Sequence, residues 1–515
     1  MRELDRATIE DCGVPGIELM EHAGAGVAQL ATEYLEDSVD SRVIVLAGPG
    51  NNGGDGWVTA RLLAGKGIEA KVATTIPPEK LSGDAKTAFE RARDAGIEYA
   101  IFPDGSITLD KFDLIIDALL GTGAKGAPRG AIAEMVDRAN AGRIDIIAVD
   151  IPTGVDADTG ETPGCAIIAT ATATFGLPKL GQFRYPGKAH TGRLVVVDIG
   201  IPEDIIEATA PGWLVDTAEN MHEFLPPHPG DGHKGTFGKT AIIAGSEGMT
   251  GAATMTAESC LRSGTGLVEL LVPRGLVDTV ETILRETVTR PLQQVNKHRC
   301  LSIRALGDIL RLTKDCDAIA LGPGIGMHRE TVDLVGRLLP RLSAPTVIDA
   351  DGLNCIAKLR KREIPVEFGV PIVMTPHPGE LSRLLDVPVE EIIAARFDKM
   401  NEWATSLGVD VLVLKGAPTT IAGQEGPIYI NRTGNHGMAT GGSGDVLTGI
   451  IAGFLAQGLL QIDAARLGVY LHGFAGDLAA AQFGPRGIIA GDILDCVPEA
   501  ILDLELFSKT AQGSV

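Results

Sequence analysis

The segment 435–458, which reads NHGMATGGSGDVLTGIIAGFLAQG, joins a dense glycine run to an apolar stretch with helical spacing. Glycine has no Cβ, so its backbone can turn sharply and approach a ligand closely. The apolar spacing predicts a buried helix that begins near Ser443. The free N–H groups and the positive dipole end of such a helix suit an anion, for example a phosphoryl group in transfer.

Asp445 lies in the first turn of this predicted helix. A carboxylate is a poor phosphate ligand, but it can accept the proton of a hydroxyl group that is being phosphorylated. An Asp here also stabilises a helix N-terminus without any catalytic role. The glycine density and the order GSGD favour the first interpretation, so Asp445 is predicted to be catalytic.

The first half of the chain alternates short apolar runs with helical segments, beginning with a helix over 7–35. Strands are predicted at 42–47, 70–74, 113–118, 144–150, 171–175 and 194–198. Helices fall between the first four strands, which indicates an α/β fold with a Rossmann-like, doubly wound parallel sheet. Ligands of such a sheet bind at the carboxyl ends of its strands.

The loop after the first strand reads GPGNNGGDG and satisfies the dinucleotide fingerprint GxGxxG, with Glu69 at the distance of a ribose-binding acid. That match is weak by itself. Asn51, Asn52 and Asp55 offer oxygen atoms for hydroxyl groups or a cation, where a pyrophosphate would favour bare backbone. The loop therefore indicates a polar site and argues against hydride transfer.

Two further carboxylates close apolar strands, Asp117 before ALLGTG and Asp150 before IPTG. Each carboxylate taken singly is also explained as a loop cap. Three polar strand ends around one glycine-rich loop favour a common site at the carboxyl edge of the sheet.

The composition excludes several classes of partner. The net charge of −22 and the pI near 4.9 argue against nucleic acid or an anionic membrane as a bulk partner. The seven cysteines are scattered without a C-x-x-C pair, so neither a disulfide framework nor a zinc site is indicated. The N-terminus lacks an apolar signal region and no run reaches membrane-spanning length, so a cytoplasmic enzyme is expected.

GPGNNGGDG, DALLGTG and VDIPTGVDADTG together resemble the NAD(P)H-hydrate epimerase (YjeF N-terminal) domain over residues 1–215. The resemblance implies substrate contacts from Asn51, Asn52, Gly53, Gly54, Asp55, Gly121, Thr122, Gly123, Ala124, Lys125, Gly126, Ala127 and Asp150. It also implies a potassium ion held by Asn52, Asp117 and Thr153, and oxygen ligands suit such a hard cation. Asp150 is the candidate acid/base, since proton movement at the hydrated C6 could open and reclose the ring with inverted configuration.

A proline- and glycine-rich stretch marks a linker over 216–236. It contains His222, His228 and His233, but no cysteine or carboxylate pattern completes a metal shell around them. The tripeptide GKT that follows imitates the end of a P-loop. The imitation fails because His233 replaces the first glycine and an apolar strand follows instead of a helix.

The alternation restarts in the second half. Strands are predicted at 241–244, 267–272, 318–321, 346–348, 372–374 and 411–414, with helices over 252–264 and 390–407. Loops rich in glycine, proline and polar residues again follow the strands. A second parallel-sheet domain over 237–505 is expected.

GSxxMTGAA, LGPGIG, DADGLN, TPHPGE, LKGAPT and TGGSGDVLTG resemble the ribokinase-like superfamily. Within it they are similar to the ADP/ATP-dependent NAD(P)H-hydrate dehydratase (YjeF C-terminal) domain. The resemblance implies a hydrate site lined by Ala252, Gly324, His377 and Asp445. It implies adenine-nucleotide contacts from Lys415, Gly416, Ala417, Pro418, Thr419 and Gly444. His377 is also explained as a satisfied loop histidine, and Lys415 as a surface lysine.

The predicted function is repair of hydrated NADH and NADPH. One half interconverts the R and S hydrates, and the other dehydrates the S form with ADP or ATP as co-substrate, assisted by Mg²⁺. Association into a homo-oligomer is expected. The first alternative is a small-molecule kinase of the hydroxymethylpyrimidine or hydroxyethylthiazole type. The second is a first half that only senses nucleotides or binds protein, which would not need Asn52, Asp117 and Asp150 together.

Overall fold

The computed structural model describes residues 2–35, 41–103, 108–209 and 212–512. The chain divides into two compact units, Met1–Pro211 (unit 1) and Gly212–Val515 (unit 2). Among the residues described, no helix combines the length and the apolar character needed to cross a membrane.

Unit 1 is built on a parallel sheet of seven strands. The strands are β1 Arg42–Ala47, β2 Glu69–Thr74, β3 Glu98–Ile101, β4 Leu114–Ala118, β5 Asp145–Val149, β6 Ala171–Phe175 and β7 Arg193–Val197. The helices are α1 Arg2–Glu10, α2 Gly16–Tyr34, α3 Asn51–Gly65, α4 Gly83–Asp94, α5 Ala131–Ala141, α6 Gly187–Thr191 and α7 Glu203–Thr209. Short 3₁₀ helices lie at Pro78–Lys80, Leu109–Lys111 and Leu180–Gln182.

The strand order of unit 1 is β3-β2-β1-β4-β5-β6-β7, with every pairing parallel. The predicted Rossmann-like sheet is thereby confirmed. The order reverses between β1 and β4, where open α/β sheets bind their ligands. The prediction omitted β3, an edge strand whose side chains are largely exposed and which therefore lacks a buried pattern. It also fused α1 and α2, which Gly13 and Pro15 separate.

Unit 2 contains a larger mixed sheet and a separate pair of short strands. Its strands are β8 Trp213–Asp216, β9 Lys239–Ile243, β10 Leu267–Pro273, β11 Val288–Leu292, β12 Gln294–Val295, β13 Cys300–Leu301, β14 Ala318–Leu321, β15 Thr346–Ile348, β16 Ile372–Met374, β17 Val411–Leu414, β18 Thr420–Gly423 and β19 Ile428–Asn431. Its helices are α8 Ala218–Met221, α9 Thr250–Arg262, α10 Val277–Ile283, α11 Leu306–Thr313, α12 Arg329–Leu338, α13 Asp351–Lys361, α14 Pro378–Leu385, α15 Val389–Ala395, α16 Met400–Leu407, α17 Ser443–Ala456, α18 Gln461–Phe483 and α19 Ala490–Gln512. The 3₁₀ helices are His222–Phe224, Arg274–Leu276, Ile303–Ala305, Leu339–Arg341 and His436–Met438.

The main sheet of unit 2 has the order β11-β10-β9-β14-β15-β16-β17-β18-β19-β8, and β12 pairs with β13 separately. Pairings from β11 to β17 are parallel, whereas β18 is antiparallel to both of its neighbours. The last strand, β8, extends the sheet by pairing in parallel with β19. The sequence placed the domain boundary after residue 215, but this pairing assigns residues 213–216 to unit 2. The stretch proposed as a linker begins with the last residue of β8 and contains α8.

Helix α17 is the buried helix predicted from the glycine-rich segment, and it begins at Ser443 as expected. It packs against α9 at glycine positions. A Cβ on Gly449 would overlap the Ser259 hydroxyl, and one on Gly453 would overlap the Ser263 hydroxyl. Small residues therefore let the two helices approach closely. The predicted helix 390–407 is instead the pair α15 and α16.

A buried ion pair attaches β8 to α18. Arg466 donates through Nε and Nη2 to Asp216 Oδ1 at 3.0 and 2.8 Å, and its guanidinium lies 3.8 Å from the centre of the Tyr429 ring. Burial nevertheless raises the pKa of Asp216 to about 6, because desolvation outweighs the attraction of the arginine.

We expect Asp216→Ala to lower the free energy of unfolding of unit 2 by about 3–5 kcal/mol, because it leaves the Arg466 charge buried without a partner. Urea denaturation of the full chain, followed by Trp213 and Trp403 fluorescence in a Trp57→Phe background, measures the loss. The double variant Asp216→Leu with Arg466→Met removes both charges and should recover most of the stability. Equal losses in the single and the double variant would contradict this account.

Candidate active sites

Unit 1 has a cavity of about 510 Å³ at the carboxyl edge of its sheet, where β1 and β4 diverge. Eight of the residues predicted to contact substrate or to catalyse line it: Asn51, Asn52, Asp55, Gly121, Thr122, Gly123, Ala124 and Asp150. The segment GPGNNGGDG, predicted as a loop, is helical from Asn51 onward, because α3 begins there. The amide and carboxyl groups are therefore held on a helix.

The other predicted contacts of unit 1 lie outside this lining. Gly53 and Gly54 pack inside the protein, where a Cβ would meet Gly48 and Met20, respectively. Lys125 is exposed and bonds to Asp156 and Asp158, at 3.1 and 2.9 Å. Gly126 lines a small neighbouring pocket together with Gly121 and Ala124. Ala127 packs against Gly164, since a Cβ on that glycine would be 2.7 Å from the Ala127 Cβ.

Asp150 directly follows β5 and has a positive φ of 66°, which is uncommon for a residue with a side chain. Its backbone is held on both sides, because its N–H donates to Ala173 O at 2.8 Å and its carbonyl accepts from Gln182 Nε2 at 2.8 Å. Sterically restricted conformations of this kind concentrate at functional sites. The conformation points to Asp150 as a residue whose direction is fixed.

Lys179, which contacts Asp150 at the edge of this cavity, is a candidate residue that sequence reasoning missed. Its buried ammonium group forms an ion pair with Asp150 and also donates to Thr174 Oγ1 at 2.9 Å and to Phe175 O at 3.0 Å. The sequence signal that could have indicated Lys179 is its position directly after Pro178, close to the end of the apolar strand β6. All three ammonium protons have acceptors, so Lys179 fixes the position and the charge of Asp150.

Three more carboxyl groups line the cavity, Asp5 from α1, Asp55 from α3 and Asp84 from α4. Burial raises the pKa of Asp55 well above its usual value, and the charges of Asp150 and Asp5 raise it further. The pKa of Asp5 is also raised, again mainly by burial. The cavity therefore combines a carboxylate that is ion-paired with lysine and a carboxyl group whose pKa is raised by burial.

Asp117 is fully buried at the end of β4 and is bonded to Thr153. Its carboxylate accepts from the Thr153 hydroxyl at 2.7 Å, from the Thr153 N–H at 2.8 Å and from the Leu119 N–H at 3.3 Å. In the described part of the chain none of these partners carries a positive charge. Burial accordingly raises the pKa of Asp117 to about 6.

Asn52 lies against Gly121, since a Cβ on Gly121 would be 3.0 Å from its Oδ1, and the N–H of the adjacent Leu120 donates to the Thr153 hydroxyl at 3.0 Å. The amide nitrogen of Asn52 is buried and has no hydrogen-bond partner among the described residues. A buried carboxylate without a cationic partner, a hydroxyl and an amide make an oxygen-rich donor set. These residues fit a monovalent cation.

The second candidate site lies at the N-terminus of α17, where Gly442 adopts a φ of 97°. Asp445 is half-buried in the first turn, and its carbonyl accepts from Thr256 Oγ1 at 3.1 Å. Burial raises the pKa of Asp445 to about 7, and the nearby Asp349 contributes to the shift. This carboxyl group can accept or release a proton near neutral pH.

Lys415 follows β17 and donates to Asp349 Oδ1 at 2.6 Å. The second oxygen of Asp349 accepts from Thr448 of α17 at 2.8 Å. Burial alone would lower the pKa of Lys415, but Asp349 and Glu380 raise it overall, so the side chain stays charged. A Cβ on Gly444 would be only 3.1 Å from the Lys415 ammonium, so this glycine leaves room for the charge beside the helix N-terminus.

The remaining predicted nucleotide contacts form a closed turn after Lys415. Thr419 Oγ1 donates to Gly416 O at 3.2 Å and accepts from Gly416 N–H at 3.4 Å, with Ala417 and Pro418 between them. The guanidinium of Arg396 donates to Lys415 O at 3.2 Å from beneath the turn. Arg396 was not recognised in the sequence, because no motif around it marks its position.

His377 caps α14, where its Nδ1 accepts from Gly379 N–H at 3.0 Å. The backbone N–H of His377 donates to Glu380 Oε2 at 2.8 Å. Burial lowers the pKa of His377, and the charges of Lys415 and Arg383 act in the same direction. The imidazole therefore faces the site neutral at pH 7, with half of its side chain exposed.

Ala252 in the first turn of α9 lies against Gly324, since a Cβ on that glycine would be 3.2 Å from the Ala252 Cβ. Ser246 donates to Gly324 O at 2.7 Å. These small residues meet the loops that follow β9 and β14, at the reversal of strand order in the unit 2 sheet. The predicted hydrate-site residues therefore come from loops that follow several neighbouring strands at one edge of the sheet.

The histidines of the proline-rich stretch are not assembled as metal ligands. His228 stacks on Phe237 with ring centres 4.1 Å apart, and His233 Nδ1 accepts from Gly235 N–H. Across residues 2–35, 41–103, 108–209 and 212–512, no group of three or more His, Cys, Asp and Glu side chains could hold a metal ion.

Two sheets, each with titratable carboxyl groups at its carboxyl edge, define an α/β enzyme with two separate candidate active sites. Residues 16–181 match the family described as YjeF-related protein N-terminus, and residues 240–499 match the NAD(P)H-hydrate dehydratase family.

Curated relatives align along the whole chain. A bifunctional NAD(P)H-hydrate repair enzyme of Moorella thermoacetica is 43% identical over 98% of this chain and 96% of its own length. Its counterpart in Escherichia coli is 36% identical over 100% and 95%. A ribokinase-like superfamily protein of Enterococcus faecalis has a crystal structure that is 26% identical, with a TM-score of 0.50. That match covers 57% of this chain and 96% of that chain.

The chain therefore belongs to the family of bifunctional NAD(P)H-hydrate repair enzymes. The match of residues 240–499 favours the dehydratase over the small-molecule kinase.

We expect Lys179→Met to lower the free energy of unfolding of unit 1 by about 3–5 kcal/mol at pH 8, because the buried Asp150 loses its counter-ion. Urea denaturation followed by Trp57 fluorescence reports on this unit once Trp213 and Trp403 are replaced by Phe. Lys86→Met, an exposed lysine on α4, serves as the control and should change little. If both variants lose the same stability, Asp150 does not depend on Lys179.

Proposed function

We propose that the chain repairs hydrated NADH and NADPH in two steps, with unit 1 as the epimerase and unit 2 as the dehydratase. Unit 1 interconverts the R and S hydrates, and unit 2 dehydrates the S form while ADP or ATP is converted to AMP or ADP and phosphate. The single observation that carries the proposal is the second site, where Asp445, Gly444 and the Lys415 ammonium meet at one helix N-terminus. The whole-chain similarity to repair enzymes supports it.

The epimerase step needs one base and one acid. Asp150, held by its ion pair with Lys179, accepts the proton of the C6 hydroxyl group. The C6–O bond becomes a carbonyl as the C6–N1 bond breaks, and N1 takes a proton from Asp55, the carboxyl group whose pKa is raised by burial. Rotation followed by the reverse sequence closes the ring with the opposite configuration at C6.

A potassium ion is proposed at Asn52, Asp117 and Thr153, because this oxygen-rich set buries a carboxylate without a cationic partner among the described residues. When bound, the ion supplies the positive charge that Asp117 lacks. The protein itself holds the set in place through the Thr153–Asp117 hydrogen bonds.

In the dehydratase step, Asp445 accepts the proton of the C6 hydroxyl group while the hydroxyl oxygen attacks the terminal phosphoryl group of the nucleotide. Lys415 and the N–H groups at the start of α17 stabilise the negative charge. The ring nitrogen then expels phosphate from C6, and loss of a proton from C5 restores the dihydronicotinamide. Phosphate leaves more readily than hydroxide, which accounts for the use of a nucleotide.

The loop of Lys415, Gly416, Ala417, Pro418 and Thr419 is proposed to hold the nucleotide, and Ala252, Gly324 and His377 to line the hydrate pocket. Mg²⁺ is proposed to enter with the nucleotide phosphates, as it commonly does, with the Asp349 and Asp445 oxygens nearby. When bound, the ion offsets phosphate charge. We further propose a homo-oligomer that acts in the cytoplasm, a reducing compartment that suits seven free cysteines.

The two activities should separate by mutation. Asp150→Asn should abolish interconversion of R and S hydrates and leave dehydration of the pure S form near the wild-type rate. Asp445→Asn should do the reverse, lowering dehydration kcat by about 10³-fold or more while epimerisation continues. Recovery of dihydronicotinamide absorbance from each pure epimer, with ADP and with ATP and at varied potassium, measures both. A wild-type chain that never regenerates reduced coenzyme, or that accumulates a stable phosphorylated product, would refute the proposal.

The dehydratase should also depend on pH through Asp445. The base must be ionised, and its pKa is raised to about 7, so kcat/KM should rise as the pH increases through about 7 and then level off. Stopped-assay rates between pH 5.5 and 9 give the profile. Lys314→Ala, which changes an exposed lysine at the end of α11, is the comparison and should keep the same midpoint. A flat profile would remove Asp445 from the role of base.

A further inference from the structure

A groove of about 700 Å³ lies between α13 and α14 of unit 2, and the proposed mechanism does not use it. Its floor is apolar, with Ala357 and Leu384 buried. Four cationic side chains border it: Lys358, Arg360, Lys361 and Arg383. In a chain with a net charge of −22, four cations along one groove are a marked local reversal of charge.

The cations of the groove are not neutralised by carboxylates. Lys358 contacts the Met327 carbonyl at 3.3 Å, and Arg383 donates to Asn354 Oδ1 at 3.0 Å. Arg360 donates to the carbonyls of Leu384 and Ser406, at 3.2 and 2.9 Å, and so forms part of the wall. None of the four is ion-paired among the residues that the structure describes, and Asp386 is the carboxylate in the described lining.

Residues at one end of the groove adjoin residues of the proposed hydrate pocket. Arg383 reaches the first turn of α14, where a Cβ on Gly379 would be 3.7 Å from its Nη1, and His377 caps this turn. At the other wall Met327 follows Gly326, whose N–H donates to Asp351 at 2.9 Å. Along α13, at about 1.5 Å per residue, Lys358 and Lys361 lie about 10 and 15 Å from Asp351.

The nicotinamide pocket by itself accounts for only one end of a dinucleotide. The other end carries a diphosphate, an adenosine and, in the NADPH form, a third phosphate. We infer that the groove binds the adenosine-phosphate half of the hydrated coenzyme, with Lys358, Lys361 and Arg383 facing its phosphates and the apolar floor facing its adenine. This inference rests on the proposed dehydratase activity of unit 2.

The test uses two double variants of the full chain. The groove variant carries Lys358→Ala and Lys361→Ala, and the charge-matched control carries Lys314→Ala and Arg337→Ala. All four side chains are exposed. We expect the groove variant to raise the KM for S-NADPH hydrate about tenfold, with kcat and the KM for the nucleotide unchanged. The control should match wild type. The KM for S-NADH hydrate should rise less, because it has one phosphate fewer.

A truncated substrate separates the groove from the reacting ring. The S hydrate of reduced nicotinamide mononucleotide lacks the adenosine half, so groove variant and wild type should convert it with equal KM. The inference would be overturned if the groove variant and the control had the same KM for NADPH hydrate. It would also be overturned if the groove variant changed only the KM for the nucleotide, or if it raised the KM for the truncated substrate as much as the KM for NADPH hydrate. A wild-type chain without dehydratase activity would instead refute the proposed function, which keeps the two failures distinct.

Discussion

The carboxylate of Asp349 joins three elements of unit 2 at one point. One of its oxygens accepts from Lys415, which follows β17, and the other accepts from Thr448 of α17, while Asp349 itself follows β15. The carboxylate is fully buried, so its charge requires both partners. This arrangement fixes where α17 begins relative to the sheet, and with it the position of Asp445. The helix N-terminus that is proposed to bind phosphate and its lysine are thus placed by one buried carboxylate.

Unit 1 handles buried carboxyl groups in three ways. Asp150 is neutralised by Lys179, Asp117 is held by the N–H and hydroxyl of Thr153, and Asp55 is buried with a raised pKa. Carboxyl groups within a single cleft thereby differ in burial and in partner, the two properties that set the pKa of a carboxyl group. The proposed proton transfer between substrate and protein needs such differences. The fold provides it through burial and the choice of partner.

Both units place their reactive groups at the carboxyl edge of a parallel sheet, close to a reversal of strand order. The two sites nevertheless differ in how positive charge is supplied. The first cleft collects carboxyl groups beside one lysine, whereas the second adds to its carboxyl groups and its lysine a helix N-terminus and a nearby cationic groove. A site without a phosphate to transfer does not need the positive potential that phosphoryl transfer requires.

The sequence alone determined the alternation of strands and helices, the Rossmann-like sheet and the start of α17, because apolar periodicity and glycine placement are local signals. It also indicated Asp150 and Asp445 as candidates, since each directly follows a strand or opens a helix. It did not give Lys179, Asp5 or the pairing of β8 with β19, because these depend on contacts between residues far apart in the chain. Tertiary structure decided which carboxyl groups are ion-paired and which are buried without a counter-charge, since burial and counter-charge arise only when separate elements meet.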